Sequence, residues 1–298
     1  MKISLIIPSY NPALKLPQTL DALIVQSKLI DELIIVVDKK NYSNEVKSML
    51  ETYSSRFNLR ILIQDISGRG RSRNKGAESS NGDILMFLDD DMLAEKDLIE
   101  KHIQYHSNNP GIIVSGNGYR KPEDSNYSFG DFLINMEKGW KESSLVAGDV
   151  TLDKFNFTAC NMSLPKKIFE QLGGFDIQFT DSEDFDFAIR AYYKGIRIVY
   201  DRMVLAWHND WPTLMNFVRR HNEYKKAKKD VFEKHPEYLE NFKSLERRDL
   251  SFSKKILARL LKRPVTWFST SHNFIFASLP LKLKFKIYRL TIAVNAYN

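Results

Sequence analysis

Short apolar runs alternate with longer amphipathic segments along residues 1–90. Apolar runs of this length predict buried strands, and apolar residues three or four positions apart predict helices. The predicted strands are 2–8, 32–38, 59–64 and 84–88, and the predicted helices are 16–27, 44–53 and 74–80. Strands that alternate with helices in this way predict βαβ units, and therefore an α/β domain with a mostly parallel sheet.

The fourth predicted strand ends in three consecutive carboxylates. Its apolar run, Ile84–Leu88, suits a strand buried on both faces, and Asp89, Asp90 and Asp91 follow directly. Because side chains alternate along an extended chain, Asp89 and Asp91 share one side and Asp90 points to the other. Paired carboxylates suit a hard divalent cation, which can neutralise a diphosphate. The alternative is an acidic turn in which Asp91 caps the next helix.

The predicted strands end in polar or turn-forming residues. These are Pro8–Tyr10 after the first strand, Asp38 after the second and the aspartate triplet after the fourth. In parallel α/β sheets, ligands bind beyond the carboxyl ends of the strands. We therefore expect these residues to converge on one rim of the sheet.

Two further segments carry candidate chemistry. The Gly/Arg segment Ser67–Asn74 reads as a loop before the helix at 74–80, and its arginines suit a phosphate or a nucleotide base. A flexible basic loop is the alternative. The acidic cluster Asp181–Asp186 is crowded enough to raise carboxyl pKa values, as a general base requires. Its alternative is an ordinary helix N-terminus favoured by the helix dipole.

The later part of the chain is less regular and then helical. Residues 110–164 suit a substrate-facing flap, and from Pro212 onward the pattern predicts helices. His208 ends the apolar run Met203–Trp207, where it is either structural or completes the shell of an aspartate-bound cation.

Composition places the chain among globular proteins. Its 298 residues are 43% hydrophobic and 27% charged, and the single cysteine, Cys160, excludes an internal disulfide framework. No apolar stretch approaches the roughly 18–20 residues of a membrane-spanning helix, and no secretory signal is recognisable. The charge is asymmetric: residues 1–218 have a net charge of −5, and residues 219–298 a net charge of +12. This suggests an anionic partner for the C-terminal part, and a solvated helical face is the alternative for residues 219–249.

Eight motifs occur together in one order. They are Ile6–Asn11, Ile34–Asp38, Arg71–Gly76, Phe87–Asp91, Asn161–Ser163, Gly173–Asp176, Glu183–Asp186 with Arg190, and Trp207–His208. In this order they resemble the motifs of family-2 glycosyltransferases, which have the GT-A fold, and the resemblance covers about residues 1–220. With the helical pattern that follows, it implies a GT-A domain at 1–218, with a mostly parallel sheet flanked by helices, and a basic helical extension at 219–298.

The resemblance also implies roles for individual residues. Asp89 and Asp91 form an Asp-x-Asp motif that, with His208, holds a divalent metal cofactor, Mn²⁺ or Mg²⁺. Asp184 is the general base, and Glu183 and Trp207 lie beside the acceptor. The residues expected against the nucleotide-sugar donor are Pro8, Tyr10, Asn11, Asp38, Arg73, Asn74, Asp89 and Asp90. Asp90 is the least expected metal ligand of the triplet.

The implied reaction is a single displacement that inverts the anomeric configuration. An acceptor hydroxyl, deprotonated by Asp184, attacks the anomeric carbon, while the metal acts as a Lewis acid on the diphosphate leaving group. Two departures from the family pattern matter. Asp38 is followed by Lys39–Asn41 instead of Asp-Gly-Ser, which bears on the identity of the nucleotide. The Gln-x-x-Arg-Trp motif of processive synthases is missing, which favours a non-processive enzyme.

The predicted function is therefore hexosyl or N-acetylhexosaminyl transfer from a UDP-sugar to a glycan or lipid-linked saccharide, in polysaccharide biosynthesis of the cell envelope. A sugar-nucleotidyltransferase is one alternative, but Ser9–Pro12 is not the glycine-rich phosphate loop that it would usually need. A non-catalytic protein that binds nucleic acid or membrane is the other. Residues 250–298 have no basic-aromatic recognition motif, so nucleic acid is not expected as a partner.

The basic C-terminal segment predicts a membrane contact. Lys and Arg alternate with Ile and Leu over residues 254–263, a pattern that suits an anionic bilayer. The expected location is the cytoplasm, with residues 250–298 in peripheral contact with the cytoplasmic face of the membrane. The alternative is a helical subdomain or a homodimer contact that buries those leucines.

Overall fold

The computed structural model describes residues 1–143, 147–151, 157–241, 252–270 and 274–296. The chain divides into two compact units. The sheet unit comprises Met1–Arg120 and Ser143–Asn209, and the helical unit comprises Lys121–Glu142 and Asp210–Asn298. The predicted functional division of the chain at residue 218 stays a prediction.

The sheet unit alternates strands and helices. Its strands are β1 (Ile3–Ser9), β2 (Glu32–Asp38), β3 (Leu59–Gln64), β4 (Ile84–Leu88), β5 (Met92–Ala94), β6 (Ile113–Asn117), β7 (Ala147–Asp149), β8 (Asn161–Pro165) and β9 (Ile198–His208). Its helices are α1 (Leu16–Ile24), α2 (Asn44–Glu51), α3 (Arg69–Ser79), α4 (Leu98–Asn108), α6 (Lys166–Leu172) and α7 (Glu183–Tyr193). A short 3-10 turn, Lys39–Asn41, follows β2.

The strands join in the order β3-β2-β1-β4-β8-β6-β9-β5, and β7 also pairs with β9. The first four strands are parallel, as the βαβ pattern predicts. β8 runs antiparallel to both β4 and β6, and β6 and β9 are parallel. Successive residues of β1 and β2 pack into different cores: Ile3, Leu5 and Ile7 lie in one, and Ile6 lies in the other. The sheet is therefore covered on both faces.

Most predicted elements of the first half are confirmed. β2, β3 and β4 have the predicted bounds, and all five residues of β4 are buried. One alternative and one expectation are wrong. Asp91 does not cap a helix, because β5 follows it and α4 begins only after Asp97. The Gly/Arg segment is not a loop up to Asn74, because α3 already begins at Arg69.

The glycines of α3 explain the second error. Glycine argues against a helix by propensity, but here it permits close packing. A Cβ on Gly76 would clash with Cγ2 of Ile6 in β1, and one on Gly70 would lie 3.3 Å from Cβ of Phe175. Glycine at position 76 therefore lets the helix lie against the sheet, and glycine at position 70 allows a tight contact with Phe175.

A buried polar network joins helix α4 to strand β8. Ser163 Oγ contacts His102 Nδ1 and His106 Nε2, each at 2.7 Å, and His102 Nε2 lies 2.9 Å from Asn161 Oδ1. The amide of Asn161 donates to the backbone carbonyls of Asn117 and Val204, so its Oδ1 is the acceptor and His102 Nε2 carries the proton. Ser163 then donates to His102 Nδ1 and accepts from His106 Nε2. Both imidazoles are neutral in this arrangement.

The helical unit is built around an aromatic core. Its helices are α5 (Ser128–Ser143), α8 (Leu214–Lys234), α9 (Pro236–Asn241), α10 (Phe252–Thr270), α11 (Phe274–Ser278) and α12 (Leu281–Asn295). Phe129 and Phe132 of α5 pack against Tyr288 of α12, with the ring centres of Phe129 and Tyr288 5.1 Å apart. Among the described helices of the whole chain, none is both long and apolar enough to cross a membrane. The predicted flap within 110–164 includes residues 144–146 and 152–156, which lie outside the described residues.

We predict that the neutral histidines make folding sensitive to acid. Burial lowers the pKa of His102 to about 4 and that of His106 to about 3, from 6.5. A histidine with a lowered pKa contributes its full stability above pH 6.5 and loses it as the pH falls toward the folded-state value. The free energy of unfolding should therefore fall between pH 6.5 and 4, by up to about 1.4 kcal/mol per pH unit for each histidine. Urea unfolding across this range measures it.

A matched variant isolates the contribution of one ring. His106→Gln keeps an amide donor for Ser163 but removes the titrating group, so the slope attributable to one proton should disappear. An identical pH dependence in the variant and the parent protein would contradict this assignment.

Candidate active site

Arg73 joins the two acidic motifs of the sheet unit. Its Nη2 lies 2.6 Å from Oδ1 of Asp89, and its Nη1 lies 2.5 Å from Oε1 of Glu183. Asp89 follows the carboxyl end of β4, and Glu183 is the first residue of α7. The side chains of Arg73 and Glu183 are only 3% and 4% exposed. One buried guanidinium therefore brings together carboxylates from distant parts of the sequence.

The charges of this cluster depend on one another. Burial acts to raise the pKa of Asp89, but Arg73 outweighs it and holds that pKa below its usual range. Burial acts to lower the pKa of Arg73, whereas Asp89 and Glu183 raise it. Burial raises the pKa of Glu183, and Arg73 opposes that rise. Phe175 covers the guanidinium, with its ring centre 5.5 Å from Cζ of Arg73.

Asp90 and Asp91 lie in a turn after β4 and have different surroundings. Ser9 Oγ donates to Asp90 Oδ2 at 2.5 Å, and Thr19 Oγ1 donates to the Asp90 carbonyl at 2.9 Å, so Asp90 is bound to β1 and α1. Burial raises the pKa of Asp90 to about 7; the Ser9 hydrogen bond opposes this rise, and Asp91 and Asp89 add to it. These contacts with neighbouring elements agree with Asp90 being the least expected metal ligand.

Asp91 lies beside His208. The Oδ1 of Asp91 is 3.4 Å from His208 Nε2, and its Oδ2 is 3.5 Å from Lys15 Nζ. The antiparallel pairing of β5 with β9, which places Met92 opposite His208, sets this approach. In the sequence, Asp210 follows His208 by two positions. A carboxylate beside an imidazole is a donor set that suits Mn²⁺ or another divalent transition metal.

Asp184 lies in the first turn of α7. Its Oδ2 accepts from the backbone amide of Ala159 at 3.3 Å, and its Oδ1 accepts from that of Phe185 at 2.8 Å. The acidic cluster does begin a helix, where the helix dipole favours carboxylates. The preceding residue, Ser182, has φ 62°, a left-handed conformation that is uncommon for a residue other than glycine. The backbone is thus turned sharply just before Glu183 and Asp184.

Asn74 and Arg190 hold the glycine turn that precedes the acidic cluster. The amide of Asn74 donates to the Phe175 carbonyl at 2.8 Å, and its Oδ1 accepts from the Phe175 amide at 2.9 Å. Gly174 has φ +70°, and a Cβ there would lie 2.9 Å from Oδ1 of Asn74. Arg190 pairs with Asp186 at 2.8 Å and donates to the Gly174 carbonyl. These contacts give Asn74 a structural role that its predicted position beside the nucleotide did not include.

The remaining predicted residues lie along the ends of β1, β2 and β9. Pro8 is buried in β1, Asn11 and Tyr10 are exposed after it, and the Tyr10 carbonyl accepts from Asn41. Asp38 is buried, caps the turn after β2 through the Lys40 amide and accepts from Ser67 Oγ. Trp207 lies beside His208 in β9 and donates to Glu95.

The structure therefore brings the predicted residues together in two groups. Arg73, Asp89 and Glu183 form the first, and Asp91 with His208 forms the second. Within the residues that the structure describes, no hydrogen bond or ion pair links Tyr10 or Asp38 to either group. Sequence reasoning missed Lys15. It placed Ser9 on the same rim as the aspartate triplet but assigned it no contact with Asp90.

Comparison with known proteins identifies the family. The family model "Glycosyl transferase family 2" matches residues 4–173, which is more than half of the chain. The chain belongs to glycosyltransferase family 2. This confirms the family and the enzyme class that the ordered motifs predicted.

Three relatives of this family-2 glycosyltransferase illustrate the range of similar proteins. The uncharacterized glycosyltransferase YfnE of Bacillus subtilis is 27% identical over 259 residues, covering 72% of this chain and 66% of the relative. The validoxylamine A glucosyltransferase of Streptomyces hygroscopicus subsp. jinggangensis is 25% identical and covers 67% and 53%. The O-antigen chain rhamnosyltransferase RfbN of Salmonella typhimurium is 28% identical and covers 71% and 68%. The matches thus span about half to two thirds of these relatives.

Solved structures confirm the predicted GT-A fold of this family-2 glycosyltransferase. S. aureus TarS 1-349 in complex with UDP has a TM-score of 0.57 at 16% identity, covering 99% of this chain and 89% of that one. The mannosyltransferase PcManGT from Pyrobaculum calidifontis, in complex with GDP-Man and Mn²⁺, has a TM-score of 0.57 at 16% identity, covering 98% and 85%. At this identity the likeness is one of fold alone.

We predict that loss of Arg73 destabilises the sheet unit. Arg73→Met leaves Asp89 and Glu183 without their shared cation, and removing one partner of a buried ion pair costs about 3–5 kcal/mol. Arg69→Met on the same helix is the matched control, because Arg69 is 44% exposed in its side chain and lies 3.4 Å from Asp181. Because Arg69 is partly exposed although Asp181 is buried, we expect a smaller loss, closer to the about 0–1 kcal/mol of surface pairs. Equal losses of unfolding free energy in the two variants would show that Arg73 has no special role.

Proposed function

We propose that this family-2 glycosyltransferase is an inverting, metal-dependent and non-processive enzyme. It moves a sugar from a nucleotide-diphospho-sugar, with a UDP-sugar as the first candidate, to a hydroxyl of a glycan or lipid-linked saccharide. The observation that carries the proposal is the shared contact of Arg73 with Asp89 and Glu183. It places the end of β4, where the donor diphosphate is expected, close to the start of α7, which carries Asp184.

The proposed reaction is one displacement at the anomeric carbon. The acceptor oxygen forms a bond to this carbon, and its proton passes to a carboxylate oxygen of Asp184. The bond between the anomeric carbon and the diphosphate oxygen breaks, and its electron pair leaves with the nucleoside diphosphate. Because attack and departure occur on opposite faces, the configuration inverts. Glu183 positions this step through Arg73, while Asp184, whose carboxylate is partly exposed, contacts the acceptor.

The residues present fit a divalent cation. Asp91 and His208 already lie 3.4 Å apart and offer one oxygen and one nitrogen donor. Asp89 is committed through one oxygen to Arg73, so Asp91 is the principal carboxylate ligand. A bound Mn²⁺ or Mg²⁺ would supply Lewis-acid stabilisation of the departing diphosphate.

The relatives and fold neighbours support the substrate class rather than one sugar. The named relatives include a glucosyltransferase and an O-antigen chain rhamnosyltransferase, and the fold neighbours are complexes with UDP and with GDP-Man. A role in polysaccharide biosynthesis of the cell envelope agrees with the second of these names. Donor residues on the β1 and β2 rim would include Pro8, Tyr10, Asn11 and Asp38.

We predict that Asp184→Asn abolishes transfer but not donor binding. Removing a general base lowers the rate by about 10²–10⁴-fold, while the nucleotide contacts remain. Release of nucleoside diphosphate from a panel of nucleotide sugars measures turnover, and calorimetry with the nucleoside diphosphate measures binding. Asp181→Asn, a similar charge change in the same segment, is the control and should keep turnover within a few-fold. Full turnover by Asp184→Asn would contradict the assignment of Asp184 as the general base.

We predict that the metal requirement depends on Asp91 and His208. Chelation with EDTA should abolish turnover, and added Mn²⁺ or Mg²⁺ should restore it. Asp91→Asn and His208→Ala should each weaken Mn²⁺ binding by at least the roughly 10–100-fold that loss of an outer-shell partner of a metal site costs. Electron paramagnetic resonance of free Mn²⁺ measures this directly. Asp97→Asn, at the start of α4, is the control. Unchanged Mn²⁺ affinity in both site variants would place the cation elsewhere.

A further inference from the structure

Helix α10 exposes several large apolar side chains, although Phe268 packs against the aromatic core. Leu260 is 70% exposed and Trp267 is 65% exposed, whereas Ala258 and Ser269 are the buried residues between 256 and 270. A helix that serves only a protein core buries its leucines and tryptophans and exposes its polar residues. Leu260 and Trp267 depart from that arrangement.

The exposed residues of α10 form one stripe. At 3.6 residues per turn, Leu257, Leu260, Pro264 and Trp267 fall within about 80° of the helix circumference. All four are exposed, and so are Arg259 and Arg263, which lie along one side of the stripe. Apolar side chains flanked by arginines thus face solvent together.

Helix α12 extends this stripe into a wider surface. Asn295 donates to Thr266 Oγ1 at 2.8 Å, and Thr291 donates to Ser269 Oγ at 3.0 Å, so the polar sides of the two helices face each other. Beside these contacts lies an apolar groove of about 390 Å³, lined by residues that include Leu261, Trp267 and Leu290.

We define the α10–α12 surface by its exposed residues. These are Leu257, Arg259, Leu260, Arg263, Pro264 and Trp267 of α10, and Lys282, Leu283, Lys286, Arg289 and Leu290 of α12. Every charged residue among them is cationic. Residues 250–298 as a whole contain nine Lys and Arg and no Asp or Glu, so no carboxylate in this segment opposes contact with an anionic surface.

We propose that the α10–α12 surface binds peripherally to anionic phospholipid membranes. Apolar side chains beside Lys and Arg match the two layers of a bilayer interface, where acyl chains lie beneath anionic head groups. Trp267 suits the boundary between those layers. In this arrangement α10 and α12 lie in the plane of the interface, with their exposed apolar side chains toward the acyl chains.

The charge decides between this partner and two others. A second copy of the chain would bring two cationic surfaces together and would repel them. A nucleic acid would satisfy the charges, but it would leave the leucine stripe and the groove without an apolar partner. The anionic bilayer satisfies both features. The proposal is independent of the proposed reaction, because it uses only residues of the helical unit.

Vesicle co-sedimentation of the full chain tests the proposal. We expect binding to vesicles of phosphatidylcholine with phosphatidylglycerol, weak binding to phosphatidylcholine alone, and loss of binding in about 0.5 M NaCl, where charges are screened within a few Å. Leu260→Ser combined with Trp267→Ser should lower the partition coefficient about tenfold or more, since two apolar side chains no longer enter the bilayer.

Matched variants separate surface from general effects. Leu29→Ser removes a leucine that is 79% exposed in the sheet unit, and it should leave partitioning unchanged. Arg259→Gln with Arg263→Gln should weaken binding to anionic vesicles several-fold, whereas Lys28→Gln with Lys167→Gln, both exposed in the sheet unit, should not. Circular dichroism confirms that each variant is folded.

Three results would overturn the proposal. The first is a folded parent protein that does not bind anionic vesicles. The second is equal binding to neutral and anionic vesicles. The third is a dimer in analytical ultracentrifugation that Leu260→Ser with Trp267→Ser converts to monomer while vesicle binding is unchanged, since the surface would then be an interface between copies.

Discussion

The buried guanidinium of Arg73 is the contact on which the candidate site depends. Two carboxylates held at that depth without a cation would lose their charge or move toward water. Arg73 donates to one carboxylate oxygen of Asp89 and to one of Glu183. The end of β4 and the start of α7 are therefore held by the same guanidinium group. Gly76 allows the helix that carries Arg73 to lie directly against β1. The position of the acidic residues thus follows from helix packing as much as from charge.

The strands and the triplet could be read from the sequence, whereas the connections between motifs could not. The apolar runs of β2, β3 and β4 have sharp polar ends, so their bounds were predictable. The arginines of Ser67–Asn74 look alike in sequence, and only the fold shows that Arg73 is the buried one. The same segment was read as a loop because glycine propensity is local, while the close contact of Gly70 with Phe175 is tertiary. The family resemblance placed Asn74 beside the nucleotide, and only the fold shows its two hydrogen bonds with the Phe175 backbone.

The polar network between α4 and β8 supports the end of β4, where Asp89 follows. Asn161 begins β8 opposite Leu88, the last residue of β4, and the carbonyl of its neighbour Cys160 accepts from the Asp89 amide. The chain His106–Ser163–His102–Asn161 has one consistent set of proton positions, which fixes β8 as a rigid support. A motif that resembled a family signature, Asn161–Ser163, therefore acts in this structure through packing rather than through substrate contact.

The helical unit is assembled from two segments that are far apart in the chain. Its core joins Phe129 and Phe132 of α5 to Tyr288 of α12, and the second part of the sheet unit, Ser143–Asn209, lies between them in sequence. During synthesis at roughly 5–20 residues per second, α5 leaves the ribosome on the order of ten seconds before its partner helix exists. For that interval its phenylalanines are an exposed apolar face on a growing chain. Shielding of this face until α12 is made is therefore a requirement that the order of the chain imposes on folding.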